Sequence, residues 1–333
     1  MSSMVPSSPS SILQLLIFGP LLTPKDFVVW VAEKFVKAII SGAGNLIRAN
    51  QLANEMNNAP SAALFGGTPY CFYSSASSTN QGNAVWYQYY NGSEWVQDEL
   101  SFSIYCQAGP SAVVFGDQLY VFFEQADPTS SAVITYVVSS NGSTWSGGPS
   151  GGNASSVGSA TTNESPSAVN LNGVLYAFYT ATESTQVCLS TSTDGATWTN
   201  FGIVPSTGTS AGGSGTNYMG ITGSPAAVAF SNSIYVFHQG QGNSELWYNV
   251  MDASGNWQGD TQIPLTIYDT TLSLAASPSA FVFNNQLYVV FDAGGQLYYI
   301  TPASSTSWNT PVPFGLITIR NAPSVVAFNN QLI

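Results

Sequence analysis

Short apolar runs recur along this chain from residue 59 to its end, spaced 45 to 59 residues apart. Each run follows a proline, and the six runs read PSAALF, PSAVVF, PSAVNL, PAAVAF, PSAFVF and PSVVAF, starting at Pro60, Pro110, Pro166, Pro225, Pro278 and Pro323. Runs of five or six mainly β-branched and aromatic residues are typical of β-strands. The regular recurrence of such runs indicates a structural repeat.

Two more apolar runs follow inside each complete unit. The second reads TPYCFY, QLYVFF, VLYAFY, SIYVFH or QLYVVF, and the third reads AVWYQYY, VITYVVS, QVCLSTS, ELWYNVM or QLYYITP. A turn then leads to a tryptophan, which is Trp95, Trp145, Trp198, Trp257 or Trp308 and lies 9 or 10 residues after the middle of the third run. Turn pairs such as Asn141-Gly142 and Asp194-Gly195 favour hairpins. Each unit therefore has three clear strands, with a fourth predicted after the tryptophan.

These repeats predict a mainly β fold, a β-propeller of five to six four-stranded blades over residues 59–333, with repeats starting near 59, 109, 165, 224, 277 and 322. A four-stranded sheet cannot bury both apolar faces alone, and radial stacking of sheets buries them. A solenoid or a pair of sandwiches is the alternative. The sixth unit stops at Ile333, so either the closing blade borrows strands from elsewhere, for example from Ile12–Phe18, or the sequence is truncated.

The turns before the tryptophans resemble the Asp-box-like repeats of sialidase-type propellers and of bacterial and fungal propeller lectins. The nearest segments are Ser192–Trp198 and Ser139–Trp145, and both lack one residue between the Asp or Asn and the Gly of the common form. The resemblance covers residues 59–333 and implies a propeller. It also implies that Trp95 and its equivalents wedge between blades, away from any active centre.

Residues 1–58 differ in kind and predict a small N-terminal helical head. Thr23 caps and Pro24 opens a helix whose surface is apolar except for one polar stripe, which includes Glu33 and Lys37. This apolar surface predicts packing on the propeller or on a neighbouring subunit of a homo-oligomer. The alternative is membrane contact through residues 24–41, in a toxin-like or anchoring role.

Cations are almost absent, and their positions exclude whole classes of partner. The chain has 5 Lys and Arg against 17 Asp and Glu, and residues 49–319 contain no Lys or Arg. This region therefore cannot neutralise nucleic-acid phosphates or anionic lipid. The arginines that hold sugars in sialidases and in six-bladed fucose lectins are missing too. The composition suits extracellular exposure, although no signal peptide is recognisable.

Cysteine and histidine are equally scarce. Cys71, Cys106 and Cys188 are predicted to be buried thiols, with a Cys71–Cys106 disulfide as the alternative. The single histidine, His238, rules out a multi-histidine metal site. No metal and no cofactor is expected.

Acids alone do not exclude a glycoside hydrolase, because that reaction needs only two carboxylates. The candidates are Asp117, Glu124, Asp127, Glu183, Glu245, Asp269 and Asp292. They look scattered, with none recurring at one position of the repeat. The sequence therefore predicts a protein that is not an enzyme, with hydrolysis as an alternative.

The repeats do offer neutral polar loops beside aromatic side chains, which is how proteins hold uncharged sugars. The predicted carbohydrate-binding residues lie near the corners between second and third strands: Trp86, Glu124, Gln125, His238, Gln239, Glu245, Trp247, Asp292 and Tyr298. For the aromatic members, packing between blades is the competing interpretation. The favoured function is lectin-like, multivalent binding of neutral or weakly polar glycans or glycoproteins. The alternatives are a toxin whose propeller recognises cell-surface glycans, a glycoside hydrolase and a self-assembling structural protein.

Overall fold

The computed structural model of the chain describes residues 58–74, 83–100, 105–125, 132–147, 154–206, 209–210, 213–214, 218–318, 324–325, 327–328 and 331–332. The helical head predicted for residues 1–58 and the membrane contact predicted for residues 24–41 lie outside this set, apart from Asn58. Within the described residues, no helix has both the length and the apolar character that crossing a bilayer requires.

Five four-stranded antiparallel sheets make up the described part of the fold, and each is a simple meander. The first blade comprises β1 (Ser61–Phe65), β2 (Thr68–Ser74), β3 (Asn83–Tyr90) and β4 (Trp95–Glu99), with β5 (Tyr105–Cys106) also pairing with β3. The second comprises β6 (Ser111–Phe115), β7 (Gln118–Gln125), β8 (Val133–Ser139) and β9 (Ser155–Thr161). The third comprises β10 (Ser167–Leu171), β11 (Val174–Thr180), β12 (Val187–Ser192) and β13 (Thr199–Ile203).

The remaining strands complete two more blades and three short hairpins. The fourth blade comprises β16 (Ile221–Phe230), β17 (Ser233–Gly240), β18 (Leu246–Met251) and β19 (Thr261–Ile263). The fifth comprises β22 (Ser279–Phe283), β23 (Gln286–Ala293), β24 (Gln296–Ile300) and β25 (Val312–Thr318). The hairpins are β14 (Thr209–Ser210) with β15 (Gly213–Ser214), β20 (Thr266–Ile267) with β21 (Thr270–Thr271), and β26 (Ala327–Phe328) with β27 (Gln331–Leu332).

The first strands of the five blades contact one another in the order of the chain, which arranges the blades around an axis. The sixth repeat follows the fifth blade in the chain and contacts the first blade. The amide of Ala62 donates a hydrogen bond to Oγ of Ser324 at 3.0 Å. The predicted mainly β propeller is thus confirmed, with five complete blades. The described residues of the sixth repeat form a two-stranded hairpin.

The repeated tryptophans fill the spaces between blades, as predicted. The Trp145 ring of the second blade stands edge-on to Phe72 of the first, with ring centroids 5.6 Å apart and planes at 90°. The same contact joins Trp198 to Phe122, Trp257 to Phe178 and Trp308 to Phe237, at 5.6, 6.0 and 5.5 Å. The second to fifth blades therefore each place one aromatic ring on the preceding blade, and the even spacing in the sequence reflects this packing.

In two blades the turn before the tryptophan also packs against a tyrosine of the preceding blade. Gly195 has a φ of +73°, and a Cβ on it would overlap the phenol oxygen of Tyr120. Gly142 meets Tyr70 in the same way one blade earlier. In both turns an Asp or Asn oxygen accepts two backbone amides, as Asp194 Oδ1 does from Ala196 and Thr197 at 2.8 and 2.7 Å. The glycine is thus required both by the backbone and by the adjacent tyrosine.

All three cysteines are free thiols, so the Cys71–Cys106 disulfide considered above does not form. Cys106 and Cys188 are buried and Cys71 is half-buried. Burial raises the pKa of Cys71 and of Cys106 to about 12, which keeps both thiols protonated and unreactive at neutral pH.

Candidate functional site

A cavity of about 380 Å³ lies on the propeller axis, at the end where the chain enters the first strand of each blade. It is lined by residues next to the repeated prolines and also by Asn58, Gln107, Asn163, Glu164 and Ala276, which are called the rim residues here. Small side chains leave this space open because the repeats place serine or alanine next to the proline almost everywhere. The volume lies in the range of small-molecule sites in proteins.

The serines that follow the prolines form one hydrogen-bonded ladder around the axis. The amide of Ala112 donates to Ser61 Oγ, that of Ala168 to Ser111 Oγ and that of Ala227 to Ser167 Oγ, each at 2.9 Å. Ser324 accepts from Ala62 in the same manner. In the fourth blade Ala226 replaces the serine, which interrupts the ladder.

The serines that precede the prolines form a second ladder, which runs in the opposite direction. The amide of Gly109 donates to Ser165 Oγ at 2.7 Å, that of Ser165 to Ser224 Oγ at 3.0 Å, and that of Ser224 to Ser277 Oγ at 2.9 Å. Gly109 must be a glycine here, since a Cβ would collide with the carbonyl oxygen of Ala59. The two ladders join neighbouring blades at the axis through backbone amides that donate to serine side chains.

These ladders determine what the cavity offers a ligand. Each of these seven serine oxygens already accepts a backbone amide, so its own proton is available to donate. The Ser224 hydroxyl donates to Glu164 Oε2 at 3.4 Å. Burial raises the pKa of Glu164, and this hydrogen bond opposes the shift. Among the residues that the structure describes, no Lys, Arg or His lines the cavity.

A second set of polar side chains lies at the ends of the second strands. The strand registers align Phe72, Phe122, Phe178, Phe237 and Val290, each opposite the residue that follows the repeated proline. Two residues further on, the five blades carry Ser74, Glu124, Thr180, Gln239 and Asp292. The sequence-based view that no acid recurs at one position of the repeat is therefore wrong, because Glu124 and Asp292 are equivalent.

The two acids of this set are almost completely buried. Glu124 is 2% exposed, and its Oε2 accepts the amide of Gln107, a rim residue, at 2.7 Å. Asp292 is 3% exposed, and its Oδ1 has no hydrogen-bond partner among the described residues. The amide of Ala275, next to the rim residue Ala276, donates to the Asp292 carbonyl at 3.0 Å. Burial raises the pKa of both carboxyl groups.

His238 lies away from any solvent-facing surface. Its side chain is fully buried, and Nε2 lies 2.9 Å from Oδ1 of Asp260, which is buried as well. The amide of Asp260 donates to Ser206 Oγ at 3.0 Å, which ties this pair to the segment after the third blade. The histidine thus satisfies a buried carboxylate within the fourth blade.

The remaining predicted residues surround the corners at various depths. Trp247 is 7% exposed, and its indole nitrogen donates to Glu245 Oε2 at 3.2 Å. Trp86, Gln239, Glu245 and Tyr298 are half-buried, and Gln125 is exposed. Tyr298 stacks on Phe291 with ring centroids 5.8 Å apart. None of the nine predicted residues is among those that line the axial cavity.

Sequence reasoning missed the serine ladders and Glu164. The signal was present in the sequence, as Gly-Pro-Ser at 109–111 and Ser-Pro-Ser at 165–167 and 277–279. Small polar residues on both sides of these prolines indicate a narrow polar axis.

No family model matches the sequence, and no curated protein matches it significantly. Several solved structures share the fold. An α-L-arabinanase of Penicillium chrysogenum aligns with a TM-score of 0.55 at 13% identity, over 82% of this chain and 85% of that one. A six-bladed fungal lectin of Aleuria aurantia that recognises fucose aligns with a TM-score of 0.53 at 19% identity, over 82% and 83%. A GH43_1 enzyme of Xanthomonas citri, complexed with xylose, aligns with a TM-score of 0.53 at 13% identity, over 80% and 94%.

These similarities show a propeller fold that both lectins and enzymes use. They agree with the predicted likeness to fungal propeller lectins at the level of the fold, while no family model supports an Asp-box or sialidase relationship. The prediction that the protein is not an enzyme is wrong as drawn. Most of the similar structures are enzymes that act on sugars, so the fold gives no basis for excluding catalysis.

Proposed function

We propose that the axial cavity binds an uncharged saccharide. The observation that carries this proposal is the lining, which combines serine hydroxyl donors from both ladders with the single carboxylate of Glu164. Sugar hydroxyls both donate and accept hydrogen bonds, so they match such a mixed surface. An anionic ligand matches it less well, since none of the described lining residues is a cation that could offset a negative charge next to Glu164.

The nine residues predicted from the sequence stay a prediction for additional sugar contacts. The solvent-accessible members, above all Gln125 and the half-buried Trp86 and Tyr298, suit this role best. The fully buried His238 suits a structural role instead. The binding mode is then an axial site with peripheral contacts on the same face of the propeller.

Glycoside hydrolysis is the second candidate function. Three carboxyl groups near one end of the axis favour it, those of Glu124, Glu164 and Asp292. Burial raises the pKa of each of them. Such a reaction needs one protonated carboxyl group and one ionised one. Glu164 is the member of this set that lines the cavity, so it suits the role of proton donor.

The test measures the glycan affinity of one variant that fills the cavity and of one control variant that leaves the cavity open. Ser279 lines the cavity, so Ser279→Leu places a bulky apolar side chain inside it. Ser254→Leu makes the same change at an exposed position of the fourth blade and is the matched control. We expect the wild type and Ser254→Leu to bind neutral glycans on an array, and Ser279→Leu to lose at least tenfold in affinity.

If the folded Ser279→Leu protein keeps its full glycan affinity, the binding site does not lie in the axial cavity. Absence of binding by the wild type to any glycan would refute the proposal as a whole. Release of reducing sugar by the wild type that stops in Glu164→Gln, with binding retained, would establish hydrolysis. If both proteins bind the glycan and neither releases reducing sugar, the function is binding without hydrolysis.

A further inference from the structure

The hairpin formed by β20 and β21 carries the most exposed large apolar side chain among the described residues. Tyr268 and Asp269 form its tip, and Tyr268 is 97% exposed. Both residues have positive φ angles, +46° for Tyr268 and +64° for Asp269. Two-residue hairpin turns with this backbone normally use Gly, Asn or Asp, because a larger side chain is strained there.

Other tight turns of this chain follow that preference. The turn at 66–67 has two glycines, the turn at 172–173 is Asn-Gly, and the turn at 284–285 is Asn-Asn. Tyr268 is the one aromatic residue with a positive φ among the described residues. It therefore adds backbone strain, and its solvent-exposed ring gains no burial that would offset this strain. Strain of this kind persists mainly where function requires it.

The hairpin is fixed to the face where the axial cavity lies. Leu265 and Leu274 on its two sides are each 3% exposed, and the amide of Leu272 donates to the Leu265 carbonyl at 2.7 Å. The amide of Leu274 donates to the carbonyl of Ser244 at 2.8 Å, at the corner of the fourth blade. Directly afterwards the chain reaches Ala276, which is at the cavity rim. The tip is thus a rigidly anchored platform.

We propose that Tyr268 is a stacking platform for a sugar ring of the glycan whose end occupies the axial cavity. This inference depends on the proposed function. A tyrosine ring offers a flat apolar face to the C–H face of a sugar. The exposed neighbours Asp269, Thr270 and Thr266 supply acceptors and donors for the hydroxyls around that ring.

The experiment compares Tyr268→Asn and Tyr268→Phe with the wild type. The probes are the neutral oligosaccharide that gives the highest array signal and the monosaccharide at its end, titrated by calorimetry. We expect Tyr268→Asn to bind the oligosaccharide roughly tenfold more weakly, the monosaccharide equally well, and to unfold at a higher temperature. Tyr268→Phe keeps the ring and should keep the affinity for both sugars.

Each other outcome has a distinct meaning. Equal oligosaccharide affinity of Tyr268→Asn and the wild type would overturn the stacking platform and leave the axial site intact. Loss of affinity for both sugars would place Tyr268 inside the primary site and overturn the inference as stated. Self-association of the wild type that Tyr268→Asn abolishes, with unchanged sugar binding, would assign the ring to a contact between copies. No sugar binding by the wild type would refute the proposed function together with this inference.

Discussion

The Ser324 hydroxyl accepts a hydrogen bond from the amide of Ala62 at 3.0 Å, although the two residues are 262 positions apart in the chain. This contact joins the sixth repeat to the first blade. It repeats the geometry that joins the first to the second, the second to the third and the third to the fourth blade. One serine position thus serves both as a link between consecutive blades and as the closure of the ring.

Ser324→Ala tests this closure. The variant leaves the Ala62 amide without its partner, and we expect a loss of about 1 kcal/mol in the free energy of unfolding. Urea denaturation provides the measurement. Ser254→Ala, a change at an exposed turn, should have an effect within error. Equal stability of Ser324→Ala and the wild type would show that the ring closes without this bond.

Trp145→Ala tests the aromatic wedge between the first two blades. The ring packs on Phe72 at 5.6 Å and on Tyr87 at 5.5 Å, so its removal leaves a large cavity. We expect a loss of about 3–5 kcal/mol in the free energy of unfolding, and a smaller loss for Trp145→Phe. A loss below about 1 kcal/mol for Trp145→Ala would indicate that the wedge contributes little to blade packing.

Gly195→Ala separates backbone strain from side-chain collision. Gly195 and Gly173 have φ angles of +73° and +75°, but only Gly195 faces a neighbouring side chain, the phenol of Tyr120. Gly173→Ala should therefore cost about 1 kcal/mol from strain, and Gly195→Ala clearly more. Tyr120→Phe in the Gly195→Ala background removes the overlapping oxygen and should restore part of the difference. Equal effects of the two alanine variants in thermal unfolding would contradict the interlock.

Glu164→Gln tests the half-buried carboxyl group at the cavity. Because burial raises its pKa, the folded protein binds this proton more tightly than the unfolded chain does. The wild type therefore loses stability as pH rises from the unfolded pKa, near 4.3, through the raised folded pKa. Glutamine is neutral throughout, so the variant should gain stability over the wild type at pH 7 and not below about pH 4.

Denaturation curves recorded at both pH values supply the comparison, with the exposed Glu94→Gln as the matched control. A difference between Glu164→Gln and the wild type that is the same at both pH values would mean that the carboxyl group titrates normally.

The sequence predicted the blades well because their signal is local. Strand runs, hairpin turns and the tryptophan spacing each depend on residues close together in the chain, such as Asp194, Gly195 and Trp198. The wedge of Trp198 on Phe122 also followed from the repeat, since every unit needs the same contact with its neighbour. The side chains of the site were predicted less well. Glu124 and Asp292 seemed unrelated until the strand registers aligned them.

What the sequence by itself determined is the repeating unit and the absence of Lys and Arg over residues 49–319, which leaves that region without a lysine or arginine to pair with an anionic ligand. The tertiary structure alone decided which residues meet on the axis. Ser61, Ser111, Ser165 and Glu164 come together from three repeats, and no local pattern records the depth or the neighbours of a side chain. The reason is physical: a strand's alternation fixes which face a residue occupies, whereas closure of the ring decides which faces enclose a cavity.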